Sequence, residues 1–113
     1  MAESEIELNK RRLLLPLLQQ LELQLRVQNL WQNSKPSQQA LLSREPFAID
    51  TLTFVQWLQF IFLEKMNELI QFSQPLPNSV SVHPMATEYF KGLDHDYSEI
   101  ENIIARIDLL LNQ

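Results

Sequence analysis

The chain contains no cysteine and a single glycine among its 113 residues. The first absence removes disulfides and thiolate chemistry. The second removes the glycine-rich loops that cradle phosphates. Basic side chains are also scarce, nine Lys and Arg against fourteen Asp and Glu, for a formal net charge of -5. Gripping a phosphate backbone rests on clustered cations, so this balance argues against direct nucleic-acid binding. No apolar run approaches the roughly 20 residues of a membrane span. The opening MAESEIELNKRR lacks the basic-then-apolar order of a signal peptide. A cytoplasmic protein with no membrane partner is expected. What remains, 45% hydrophobic and 20% charged residues, is the composition of a folded helical protein, and the length fits one domain over 1–113.

The charge is unevenly spread. Residues 1–44 hold six basic side chains (Lys10, Arg11, Arg12, Arg26, Lys35 and Arg44) against four Glu, whereas residues 45–113 hold three against ten acids. Such a field either steers the acidic part towards a basic protein or is ordinary solvated surface.

Apolar spacing predicts a first helix over 4–32, with Leu14, Leu18, Leu21 and Leu25 on one face and Leu23, Val27, Leu30 and Trp31 beside it. Pro16 removes a backbone donor and clashes with the preceding turn, which predicts a kink or a start near Leu15. A connector rich in Ser, Gln and Pro follows over 33–46, with at most a short helical turn at 37–42. Asp50 or Thr51 is expected to cap a central helix over 53–72. After the Pro-rich 73–82, His83-Pro84 opens a short helix that Gly92 ends. Asp96 and Glu99, spaced as a capping box, start a last amphipathic helix with Ile100, Ile103, Ile104, Ile107, Leu110 and Leu111 inward. The expected fold is all-α: an antiparallel helical bundle of three long helices plus a short fourth helix.

On a wheel of about 100° per residue, two features of the central helix break its amphipathic pattern. Lys65 falls within the apolar arc of Phe54, Leu58 and Ile61. There it would form a structural ion pair, with Asp50, Asp94 or Asp108 as candidates, or contact a ligand. Trp57 and Phe60, three residues apart, share the polar arc and form one aromatic patch. Either the connector around Pro46 and Phe47 folds over them, or they are an exposed anchor for a partner. Elsewhere chemistry is thin. Asp94-His95-Asp96 offers no second His at ligand spacing, and the serines lack a nucleophile elbow. No catalytic residue, metal site or cofactor is expected, and the chain reads as no enzyme.

Several residues in order carry a resemblance: Trp31 and Pro36-Ser37, then Pro46-Phe47 and Asp50-Thr51, then Gln56-Trp57-Leu58-Gln59, Met66, Leu69-Ile70 and Pro75-Leu76-Pro77. They make the chain similar to the YqcC-like family of small bacterial helical proteins over roughly 5–111. Relatives tend to have Pro-Arg before the Met where this chain has Glu64-Lys65, which keeps the charge but loses arginine's planar fork. The resemblance implies a cytoplasmic helical bundle associated with tRNA pseudouridine synthase C. It does not bring that enzyme's activity, which needs a larger mixed fold and a catalytic Asp in its own motif.

Three functions follow as expectations. The first is an accessory protein that binds a tRNA pseudouridine synthase through Trp57, Phe60, Pro46 and Phe47, its acidic half facing a basic surface. The second is a module for a small ligand beside Lys65. The third is a weak tRNA binder through its N-terminal cations. A homodimer that covers the aromatic patch is a further alternative.

Overall fold

Leu14, Leu18, Leu21 and Leu25, spaced to share one helical face, are each no more than 1% exposed and form the spine of the core. They lie on α1 (Glu5–Val27), the longest element of a computed structural model that describes residues 4–113. The Ser4 hydroxyl caps α1 by accepting the Glu7 N–H at 3.1 Å. At its end Asn29 takes a left-handed φ of 61°, and Leu30 N–H reaches back to the Leu25 carbonyl at 2.8 Å. That six-to-one bond is the Schellman stop of a helix. Pro16 neither kinks the chain into two helices nor delays its start. It sits on the solvent side, and the residues before it are held down by Lys10, Arg11 and Leu14, all buried. The face beside the spine is not covered as expected: Leu23 and Val27 are exposed.

A one-turn helix α2 (Gln38–Leu41), capped by Ser37, sits in the connector. A 3-10 turn, Pro46–Ala48, follows. The central helix then comprises α3 (Phe54–Trp57), a π-helical turn (Leu58–Leu63) and α4 (Glu64–Gln71). Its cap is Thr53, not Asp50 or Thr51: the Thr53 hydroxyl accepts the Gln56 N–H at 3.1 Å while Gln56 Oε1 accepts the Thr53 N–H at 2.9 Å, a complete capping box. Ser73, at a φ of 53°, closes α4 as Asn29 closes α1. Then come α5 (His83–Phe90), with Pro84 in its first turn, and α6 (Ser98–Leu111). All described elements are helical, and they pack as a bundle.

The π turn corrects the wheel. Its i to i+5 bonding adds about one residue to a turn, a lag of about 100° for everything after it. Leu58, Gln59, Phe60, Phe62 and Leu63 are thereby all buried, and Met66 and Leu69 stay on the core side. Lys65, placed in the apolar arc by a uniform 100° per residue, is instead carried out to solvent.

Two adjacent cations set how the helices run. Lys10 Nζ donates to the carbonyls of Leu111 at 3.3 Å and Gln113 at 2.7 Å. Arg11 donates to the carbonyls of Leu69 at 2.8 Å and Gln74. The start of α1 thus lies against the ends of both α4 and α6. Consequently α1 is antiparallel to two helices that run parallel to each other. Asp108 of α6 makes the converse contact: its carboxylate accepts the N–H groups of Val82 at 2.9 Å and His83 at 2.8 Å, holding the start of α5. Each pairing places a charge at the helix end of opposite partial charge.

Arg11 is 8% exposed, so its removal takes a charged donor from the Leu69 carbonyl and from the Gln74 carbonyl. Arg11→Met is expected to cost about 2 kcal/mol in urea unfolding. Arg12→Met, on the exposed side of the same helix, is expected to stay within about 0.5 kcal/mol.

Candidate functional site

Thr51 ties the connector down by donating to the Ala40 carbonyl at 2.7 Å. The turn beyond it carries Phe47 and Ala48 at left-handed φ values of 57° and 49°. An aromatic residue held there is strained by about 1–3 kcal/mol and persists only where its surroundings demand it. The demand comes from Trp57, whose ring meets Phe47 edge-on at 4.7 Å, while Phe54 lies 6.0 Å from Trp57 and 6.4 Å from Phe47. Trp57 is thereby half-buried.

The four residues expected to bind a partner separate in this geometry. Pro46 is exposed, and Phe47 and Trp57 are half-buried together. Phe60 is 8% exposed and belongs to the interior. The patch on view is therefore Pro46, Phe47 and Trp57, not Trp57 with Phe60. Ile49 extends it, 63% exposed, a contribution that its position in a connector does not advertise.

The expected pairing of Lys65 with a carboxylate does not form among the described residues. Asp50 is exposed and accepts the Ser43 hydroxyl. Asp94 is exposed, and Asp108 is bonded to the start of α5. Clefts of about 730, 340 and 540 Å³ open along α1, and Lys65 lines none of the three.

Most of the six N-terminal cations are engaged within the chain. Lys10 and Arg11 are buried on backbone carbonyls. Arg26 pairs with Glu22 at 3.1 Å and lies 4.5 Å over the Trp31 ring. Lys35 sits 3.7 Å from Glu64.

Gln59 is the polar residue that sequence patterning passed over. It is 5% exposed, and its side-chain amide pairs with one backbone unit twice over. Gln59 Oε1 accepts the Gln32 N–H at 2.9 Å and Nε2 donates to the Gln32 carbonyl at 2.8 Å. This pins the end of the α1 turn to the π turn. At the other corner the expected box of Asp96 and Glu99 does not form. Tyr97 occupies the cap position of α6, and Asp96 accepts the Ser98 N–H at 3.0 Å. Hydrogen bonds from the Ser98 hydroxyl and its backbone N–H hold the Asp96 carboxyl below the usual carboxylate range.

Two outcomes test this geometry. In a Trp31→Phe background, Phe47→Ala is expected to shift Trp57 emission to the red and increase acrylamide quenching; unchanged emission would remove the ring from its cover. In an NMR titration, the Asp96 midpoint is expected below the ordinary Asp value of about 3.9 and to rise in Ser98→Ala. The stabilisation from this depressed carboxyl is complete above the unfolded value and is lost as pH falls through the folded one.

The family model described as tRNA pseudouridine synthase C, DUF446, matches residues 13–110. An uncharacterized protein of Haemophilus influenzae is 34% identical over 87 residues, 77% of this chain and 78% of that one. Uncharacterized protein YqcC of Escherichia coli is 33% identical over 93 residues, 82% and 83% of the two chains. The solution NMR structure of YqcC from E. coli superimposes with a TM-score of 0.76 at 29% identity, covering 97% of this chain and 91% of that one. A tRNA pseudouridine synthase C of Pectobacterium carotovorum is 39% identical over 59 residues, 52% of this chain but 16% of that protein. Among the described residues no helix is long and apolar enough to cross a membrane. With matching sequence and a matching fold over nearly its whole length, this chain belongs to the YqcC-like family.

Proposed function

We propose that the protein is a non-catalytic accessory partner of a tRNA pseudouridine synthase C, working in the cytoplasm on tRNA modification. One observation carries the reading. A protein bearing that enzyme's name contains a segment like 52% of this chain, and that segment occupies 16% of its length. Most of that protein is therefore something other than this domain. Tethering two units raises their effective concentration for each other, which benefits units that meet in function.

The chemistry of the chain supports a binding role over a catalytic one. The buried side chains of Lys10, Arg11, Gln59 and Asp108 bond the backbone of neighbouring elements. They hold the fold. The surface offered to the enzyme is Pro46, Phe47 and Trp57, and the acidic part of the chain complements a basic surface on the partner.

Calorimetric titration of the protein into the tRNA pseudouridine synthase C of the same organism tests the reading. Saturable binding is expected, weakened by about 2 kcal/mol or more in Trp57→Ala. Ile49→Glu, at an exposed position, changes the same surface without touching the core and is expected to weaken binding in the same direction. Absence of binding, with or without tRNA, would overturn the proposal.

A further inference from the structure

The rings around the start of the central helix form one continuous seam across an end of the bundle. From Phe47 and Trp57 it passes through Phe54 to Tyr89 at 5.6 Å and Phe90 at 6.2 Å. Phe90 then meets Tyr97 at 4.7 Å, and the His95 ring lies 5.6 Å beyond. Phe54 and Phe90 are buried and back the seam, whereas Phe47, Trp57, Tyr89 and Tyr97 are half-buried and show part of each ring. Exposed aliphatic side chains stand at both ends, Ile49 at 63% and Leu93 at 43%.

The stretches that carry the seam's half-buried rings are acidic. Glu88 precedes Tyr89, and Asp94 and Asp96 flank His95 beside Tyr97, all three exposed. Glu45 and Asp50 are exposed on the connector side. The cations in these stretches are Arg44 and Lys91. Partly exposed ring faces on stretches that carry exposed carboxylates favour a planar cation. Guanidinium stacks on aromatic faces and forks onto carboxylates, whereas ammonium is compact and strongly hydrated. The chain already makes this contact within itself, with Arg26 over Trp31 and paired to Glu22.

We propose that the seam docks a basic, arginine-bearing segment of a protein partner. The occupant is chosen by charge: a run of positive residues meets five exposed carboxylates across the seam and its connector, and its arginines occupy the ring faces between them. The proposal rests on the accessory reading for the identity of the partner, and on the seam alone for its chemistry.

Two titrations separate these claims. In the first, ¹⁵N-labelled protein is titrated with an acetylated hexa-arginine amide and, separately, with its hexa-lysine counterpart. Hexa-arginine is expected to move the Trp57 indole signal and the amides of 88–97, and to bind at least about threefold more tightly than hexa-lysine. The double variant Glu88→Gln/Asp94→Asn, at exposed positions that leave the core intact, is expected to weaken binding about fivefold or more. Shifts confined to other faces, equal binding of the two peptides, or an unmoved double variant would overturn the seam. In the second, calorimetry with the tRNA pseudouridine synthase C uses the same double variant at two salt concentrations. Binding that is weakened by the variant and by salt supports both claims. Binding indifferent to both overturns the seam and leaves the accessory reading standing. No binding of the enzyme, together with seam-specific binding of hexa-arginine, overturns the accessory reading and leaves the seam.

Discussion

Two neighbouring cations on one helix hold the ends of two others, and the arrangement of the bundle depends on that. Parallel helices such as α4 and α6 bring like partial charges together at each end. Lys10 and Arg11 meet the negative ends with full positive charges and supply donors to carbonyls of the last turns. Because the two residues are adjacent, the ends of α4 and α6 must lie at one level. The leucine spine of α1 is then committed to the space between them. Asp108 applies the same electrostatics in reverse to α5. By contrast the ion pairs Arg26 with Glu22 and Lys35 with Glu64 are exposed and contribute little to stability.

Helices were legible where apolar residues recur at helical spacing. Leu14 to Leu25 and Ile100 to Leu111 both face the interior as their pattern predicts. Pro84 and Ser37 mark real helix starts. Pro16 misled because its solvent-facing position lets α1 continue through it. Lys65 misled because a wheel assumes uniform winding, and no residue type in Leu58–Leu63 announces a π turn. Lys10, Arg11, Gln59 and Asp108 were illegible for another reason. Their partners are backbone groups 25 or more residues away, and a carbonyl carries no mark in the sequence.

The residues by which the family is recognised turn out to serve the fold to a large degree. Ser37 caps α2, Thr51 ties the connector, Gln56 completes a capping box and Gln59 clamps Gln32. Leu76 is buried, and its N–H is taken by Glu7 at 2.8 Å. These are reasons for likeness in shape. Ile49 and Leu93 are exposed instead and take no part in the core. Trp57 belongs to both groups, since it is half-buried against Phe47 and still shows part of its ring. The accessory role proposed for the protein draws on resemblance and on no motif of its own.

The π turn accommodates one residue more than an α-helical path from Phe54 to Gln71 requires. In evolutionary terms it behaves as an insertion absorbed inside a helix, with the faces on either side left in phase. A relative whose central helix is regular throughout would be one residue shorter here and would still direct its counterparts of Met66 and Leu69 inward. Between two such chains the alignment gap belongs within the helix, at 58–63, and moving it into a neighbouring loop would mismatch every buried position between.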